Sequence, residues 1–124
     1  MRRIISEVAD YTDAEDRVLA DAFLELPSRK ELPDYYEVIR RPLDIKKIRS
    51  RITTHKYRSL DELQDDFLIM CRNAQTYNVE GSQIFEDSIQ LQVIFGEVRE
   101  KIEKEEAEKI AQGEVADDDD EVNK

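Results

Sequence analysis

The sequence predicts an all-α, left-handed four-helix bundle with a long loop between its first and second helices. Three observations carry this expectation. Apolar residues recur at helical steps in four separate segments. Only three Gly and three Pro occur in 124 residues, too few for the many turns of a sheet protein. All three prolines, Pro27, Pro33 and Pro42, fall in one connection between about Glu25 and Leu43.

Each element follows from local pattern. In the first helix Ile4, Ile5, Val8 and Tyr11 share a face, and Val18, Leu19, Ala22, Phe23 and Leu26 resume the pattern after a loose joint near Thr12 to Glu15. The connection that follows admits only a short helical turn around Tyr35 to Ile39, because each proline disfavours helix at the residue before it. The second helix has Asp44 as its N-cap and Ile45, Ile48 and Ile52 on one face. The third opens with Ser59 and Glu62 spaced as a capping box. Its apolar positions, Leu60, Leu63, Phe67, Met70, Ala74 and Tyr77, alternate steps of three and four, while the acids of "LDELQDDF" fall on the solvent face. The fourth starts near Ser82 and carries Ile84, Leu91, Phe95, Val98 and Ile102 on one stripe, widened by Ile89 and Ile94. From about Glu105 it frays, so the expected organisation is one bundle over 1–105 and an acidic, disordered tail over 106–124.

Composition excludes several classes of function. No run of about 18 apolar residues exists to span a membrane, and "MRRIISEVAD" turns acidic too early for a signal peptide. The single cysteine, Cys71, lies inside an apolar pattern and reads as a buried, inert thiol. The only histidine, His55, has no cysteine or paired acids beside it, so no usual zinc site is expected. No Gly-rich phosphate loop, paired catalytic carboxylates or serine with a base is evident, which argues against an enzyme and against a cofactor.

The net charge of −11 is unevenly placed. Between Arg40 and Arg58 eight basic side chains face Asp44 alone, whereas from Glu100 onward eleven acids meet four lysines. The basic run has two readings. It is the solvated face of the second helix, or a patch in which Arg40, Arg41, Lys46, Lys47, Arg49 and Arg51 contact nucleic-acid phosphates without reading sequence.

Short connections make the second, third and fourth helices antiparallel neighbours. The long first connection and "TYNVEGS" at 76–82 then meet at one end of the bundle. Gathered there are Asn78 and a set of apolar or aromatic residues: Phe23, Leu26, Pro27, Leu32, Tyr35, Tyr77 and Ile84, with Ala74 on the same stripe. A mainly apolar hollow with one amide and one or two phenols is how small-ligand pockets are built. Asn78 alone could equally be a helix stop, and Tyr77, at the last step of the stripe, could equally be core. Tyr36 reads as structural.

The stretches "LPDYYEVIRRPLDIKKI" and "NAQTYN", with their spacing, resemble the bromodomain family of acetyl-lysine readers over roughly residues 3–104. "LPSRKELPDYY", "HKYRSLDEL" and "CRNAQTYNVEGSQIFEDSIQLQ" are similar in particular to the bromodomain of brahma-type SWI/SNF remodelling ATPases. The resemblance implies roles by position. Asn78 would donate to the acetyl carbonyl, and Tyr35 would reach it through a water. Ile84 falls at the gatekeeper, and Leu26 and Pro27 at a shelf where many members carry Trp-Pro-Phe; this chain has no Trp. The implied partner is an acetylated histone tail, in a nuclear remodelling ATPase of which this would be a monomeric, non-catalytic module; nucleosomal DNA beside that tail is the partner that the patch reading of the basic run would add. The other reading is a protein-interaction bundle with a weak or vestigial pocket that contacts DNA through the basic face 40–58.

Overall fold

A computed structural model of the chain describes residues 1–113. The acidic run expected to be disordered, within 114–124, lies outside the described residues. Among the described residues there are five α-helices: α1 (Arg2–Asp10), α2 (Pro33–Val38), α3 (Ile45–Thr53), α4 (Leu60–Tyr77) and α5 (Gln83–Ala111). The four longer ones pack in a ring in which α1 touches α3 and α5, and α4 touches α3 and α5. The short α2 sits in the long connection, so the expected all-α bundle with one long loop is what forms.

Local signals set the starts of the main helices. The Asp44 carboxylate accepts from the Lys47 amide at 2.7 Å, Ser59 Oγ from the Glu62 amide at 3.2 Å, and Ser82 Oγ from the Phe85 amide at 3.3 Å. Each satisfies one of the amides that a helix N-terminus leaves unpaired. At Ser59 the box is modified: the Glu62 carboxylate turns to the amide of Arg58 rather than to that of Ser59. Pro33, at the first position of α2, has no amide to leave unpaired.

The interior is built by the expected stripes. Phe67 of α4 and Phe95 of α5 stack at 4.7 Å between centroids, both fully buried, with Leu63, Leu91, Ile45 and Ile48 around them. Each such side chain contributes roughly 1.5–3 kcal/mol on leaving water. Cys71 is fully buried, and desolvation pushes its thiol up to about 12, so it stays protonated. Ser88 is also fully buried, but its hydroxyl donates to the Phe85 carbonyl and accepts from Gln75 Nε2, which leaves no lost bond. Ion pairs outside the core align α1 with α5: Arg3 meets Glu105 at 2.6 Å and Glu7 meets Lys101 at 2.8 Å, an antiparallel ladder.

Five expectations are corrected. The second helical piece over 18–26 does not form. Asp13 Oδ1 accepts from the amides of Glu15 and Arg17, Asp16 takes a left-handed φ of 63°, and only one 3₁₀ turn, Asp21–Phe23, remains. The Asp side chain offers the backbone a turn that competes with helix. Leu19, Ala20 and Phe23 still reach the core, whereas Tyr11, just past the end of α1, is exposed. Ile89 does not widen the α5 stripe; it is exposed, and only Ile94 is buried. Nor does α5 fray at Glu105. It runs to Ala111, and Glu105 is held by Arg3. Finally, Asp66 of "LDELQDDF" is buried at 5% exposure rather than solvated.

That aspartate is paired. One carboxylate oxygen accepts from Arg41 at 3.1 Å, and the other accepts from Arg51 at 2.6 Å and from the Tyr57 hydroxyl at 2.7 Å. The end of the long connection, α3 and the turn after α3 are thereby tied to one point on α4. The Asn73 side-chain amide donates to the Arg41 carbonyl at 2.8 Å and adds a second tie to the same helix.

Candidate functional site

A cavity of about 160 Å³ opens at the end of the bundle where α4 ends and α5 begins. All nine residues expected around it from the sequence line it: Phe23, Leu26, Pro27, Leu32, Tyr35, Ala74, Tyr77, Asn78 and Ile84. Ala22, Leu43 and Met70 also line it and were not expected there. Met70 was legible, lying one helical turn before Ala74 on the same face. Leu43 and Ala22 were not: the path of the connection brings in Leu43, and the 3₁₀ turn Asp21–Phe23 brings in Ala22.

Each polar group has a defined setting. Asn78 is the residue that ends α4, in extended backbone. Its backbone amide donates to the Ala74 carbonyl at 3.0 Å, and its side-chain Nδ2 donates to the same carbonyl at 2.9 Å. A carboxamide NH₂ has two hydrogens. One is committed to Ala74, which fixes the plane of the group, and the second is left for an acceptor in the cavity. The helix-stop and ligand-donor readings of Asn78 are therefore compatible, because the stop orients the donor.

Tyr35 is buried at 6% exposure, and burial pushes its phenol up to about 12. It stays neutral and able to donate. Its ring meets the edges of Tyr77 at 4.8 Å and Tyr36 at 5.4 Å. The Tyr77 hydroxyl donates to Asp34 at 3.1 Å, and the Tyr36 hydroxyl to the Pro27 carbonyl. The Tyr35 hydroxyl has no hydrogen-bond partner among the described residues. A buried polar group without a partner costs about 1–3 kcal/mol, so this phenol is set for something that enters the cavity.

No charged side chain lines the cavity. An ammonium would lose its hydration there with no carboxylate to meet it, at a cost of several kcal/mol. A neutral amide head on a flexible aliphatic stem would meet Asn78, Tyr35 and apolar walls instead. The space is well below the roughly 300–1,000 Å³ of drug-sized sites, which limits the occupant to a small head group.

The basic run is only partly free. Arg41 and Arg51 are engaged by Asp66, and Lys46 pairs with Glu25 at 3.2 Å. These pairs engage the three side chains without burying them: Arg41 remains 59%, Lys46 70% and Arg51 33% exposed. Arg40, Lys47 and Arg49 are exposed and make no ion pair among the described residues. No group of His, Cys, Asp and Glu that could hold a metal ion occurs among the described residues.

Comparisons place this geometry among known proteins. The family model described as bromodomain matches residues 5–91. The chain is similar to the ATP-dependent helicase brm of Drosophila melanogaster, 50% identical over 102 residues, covering 82% of this chain and 6% of that protein. It is also similar to the chromatin structure-remodeling complex subunit rsc4 of Schizosaccharomyces pombe, 38% identical over 86 residues, 69% of this chain and 16% of that protein. The chain thus spans less than a fifth of the length of these curated relatives. Among solved structures, the bromodomain from human BAZ1A superposes with a TM-score of 0.71 at 25% identity, covering 81% of this chain and 91% of that one. The Rsc4 tandem bromodomain acetylated at K25 gives a TM-score of 0.82 at 21% identity over 92% of this chain and 46% of that one, a likeness of fold.

Proposed function

The chain belongs to the bromodomain family, and on that premise we propose that it reads acetyl-lysine in histone tails as a module of a chromatin-remodelling ATPase in the nucleus. A bromodomain is a binding module, not a catalyst. The observation that carries the reading is the charge-free cavity in which Asn78 has one amide hydrogen committed and one free, beside the unpartnered Tyr35 phenol. Acetylation replaces the lysine ammonium with a neutral amide bearing one strong acceptor. In the proposed complex Asn78 donates to that carbonyl, Tyr35 reaches it through a water, and Leu26, Pro27 and Ile84 enclose the methyl group and stem.

A head group this small supports only weak binding, with Kd on the order of 10 μM to 1 mM. Useful affinity in a monomeric module then depends on tethering to the rest of the parent protein. Calorimetric titration with acetylated and unacetylated forms of one histone-tail peptide tests the reading: the acetylated form binds and the unacetylated form does not. Equal affinity for the two would remove it.

A second surface is proposed on the basic face. The exposed, unpaired Arg40, Lys47 and Arg49 support contact with nucleosomal DNA through phosphates. The double reversal Lys47→Glu with Arg49→Glu is expected to weaken duplex binding and to flatten its dependence on log salt by about 2. Affinity for the acetylated peptide stays unchanged. Salt-independent DNA binding would contradict this surface.

A further inference from the structure

Leu26 and Pro27 form a wall of the cavity, yet neither carries a polar side chain to hold it in place. The wall belongs to a stretch without α-helix, between the 3₁₀ turn and α2, whose position must be set by bonds from elsewhere. Two such bonds grip the dipeptide at opposite ends. The Leu26 amide donates to Asp44 Oδ2 at 2.9 Å, and the Pro27 carbonyl accepts from the Tyr36 hydroxyl. We propose that Asp44 and Tyr36, neither of which is a ligand contact, are positioning residues that clamp the Leu26–Pro27 wall and so set the affinity of the acetyl-lysine pocket. The proposal rests on the reader assignment above.

The geometry separates this role from plain stabilisation. Asp44 uses its two oxygens for two purposes: Oδ1 caps α3 at the Lys47 amide, and Oδ2 holds the wall. A backbone hydrogen bond from the Lys46 amide to the Leu24 carbonyl at 3.0 Å sits beside it, so the wall is registered against the first turn of α3. Tyr36 is itself fixed from both sides. Its ring meets Tyr35 edge-on, and the Arg29 guanidinium lies 4.7 Å from its centroid. The same helical turn therefore carries the pocket phenol, Tyr35, and the clamp phenol, Tyr36. The bulk of an aromatic shelf is missing here, as the chain has no Trp, and the two hydrogen bonds provide the rigidity that packing would otherwise give. A preformed wall avoids an ordering cost at the moment of binding.

The test uses Asp44→Ser and Tyr36→Phe. Serine is as good an N-cap as aspartate but has one oxygen, so it keeps the α3 cap and releases Leu26. Tyr36→Phe removes one hydroxyl and leaves the ring contacts. Each variant is expected to bind the acetylated peptide about three- to tenfold more weakly, the loss of one hydrogen bond, with melting within a few degrees of wild type. Amide exchange reports the clamp itself, with Leu26 losing protection in Asp44→Ser and retaining it in Tyr36→Phe; weaker peptide binding at unchanged melting is the readout that a merely structural role would not move. Wild-type affinity in both variants, with the wild-type protein discriminating acetylated from unacetylated peptide, overturns the clamp alone. A wild-type protein that does not discriminate overturns the reader assignment and the clamp with it. Should Asp44→Ser lose its fold, Tyr36→Phe decides the question.

Discussion

Replacing Asn78 with phenylalanine abolishes the preference for acetylated over unacetylated peptide. The expected loss is about 5- to 150-fold in affinity for the acetylated form, the roughly 1–3 kcal/mol of a carbonyl left without its donor. Two effects act together. The free amide hydrogen disappears, and the larger phenyl ring takes up part of a cavity of only about 160 Å³. Folding suffers much less. The backbone amide of residue 78 still donates to the Ala74 carbonyl at 3.0 Å, so α4 keeps its closing bond when the side-chain bond to the same carbonyl is gone. Calorimetry with paired peptides, alongside thermal melting of both proteins, checks this. Retained discrimination in Asn78→Phe would refute the role assigned to that amide.

Asp66→Ala gives the largest expected loss of stability. The carboxylate is buried at 5% exposure and accepts from Arg41, Arg51 and Tyr57. Removing it leaves two guanidiniums and a phenol without their acceptor. A fully sealed pair would cost about 3–5 kcal/mol on losing one member. Here the Arg41 side chain is 59% and Arg51 33% exposed, so water takes over part of their solvation and about 2–3 kcal/mol is expected. For a domain of this size that is a fall in Tm of roughly 10 °C, read by circular dichroism. Asp66→Asn keeps one acceptor and falls between the two. A melting curve unchanged by Asp66→Ala would show that the network contributes nothing.

The two substitutions separate what binds from what holds. Asn78 lies in the cavity wall, and Asp66 acts through Arg41 on the segment that delivers Leu43 to that wall. Asn78→Phe should melt close to wild type without peptide and gain little from added peptide, while Asp66→Ala should lower melting with or without peptide.

Much of the molecule was legible in the chain itself. The steps of three and four from Leu60 to Tyr77, and the caps Asp44, Ser59 and Ser82, are determined within a few residues of where they act. For that reason they could be read without any knowledge of the fold. The pocket residues were legible for a different reason: two short motifs, one around Tyr35 and one around Asn78, are carried by a chain whose helix order brings them to one end. The apolar spacing of 18–26 misled, because residues can face the core at helical intervals without forming a helix. Asp13 and the left-handed Asp16 make a turn just before that segment, and within it only the 3₁₀ turn Asp21–Phe23 forms.

By itself the sequence determined the helices, their starts and the chemical character of the hollow at the bundle's end. Only the tertiary structure decided which charges are free. Asp66 and Asp65 are neighbours of the same type, yet one is buried beneath two arginines from 25 and 15 residues away and the other faces water. The same holds for Asp44, whose second oxygen finds an amide 18 residues back along the chain. The physical reason is range. Helix period and capping are settled within a turn or two of backbone, whereas the burial of a charge depends on whether distant segments supply its partners.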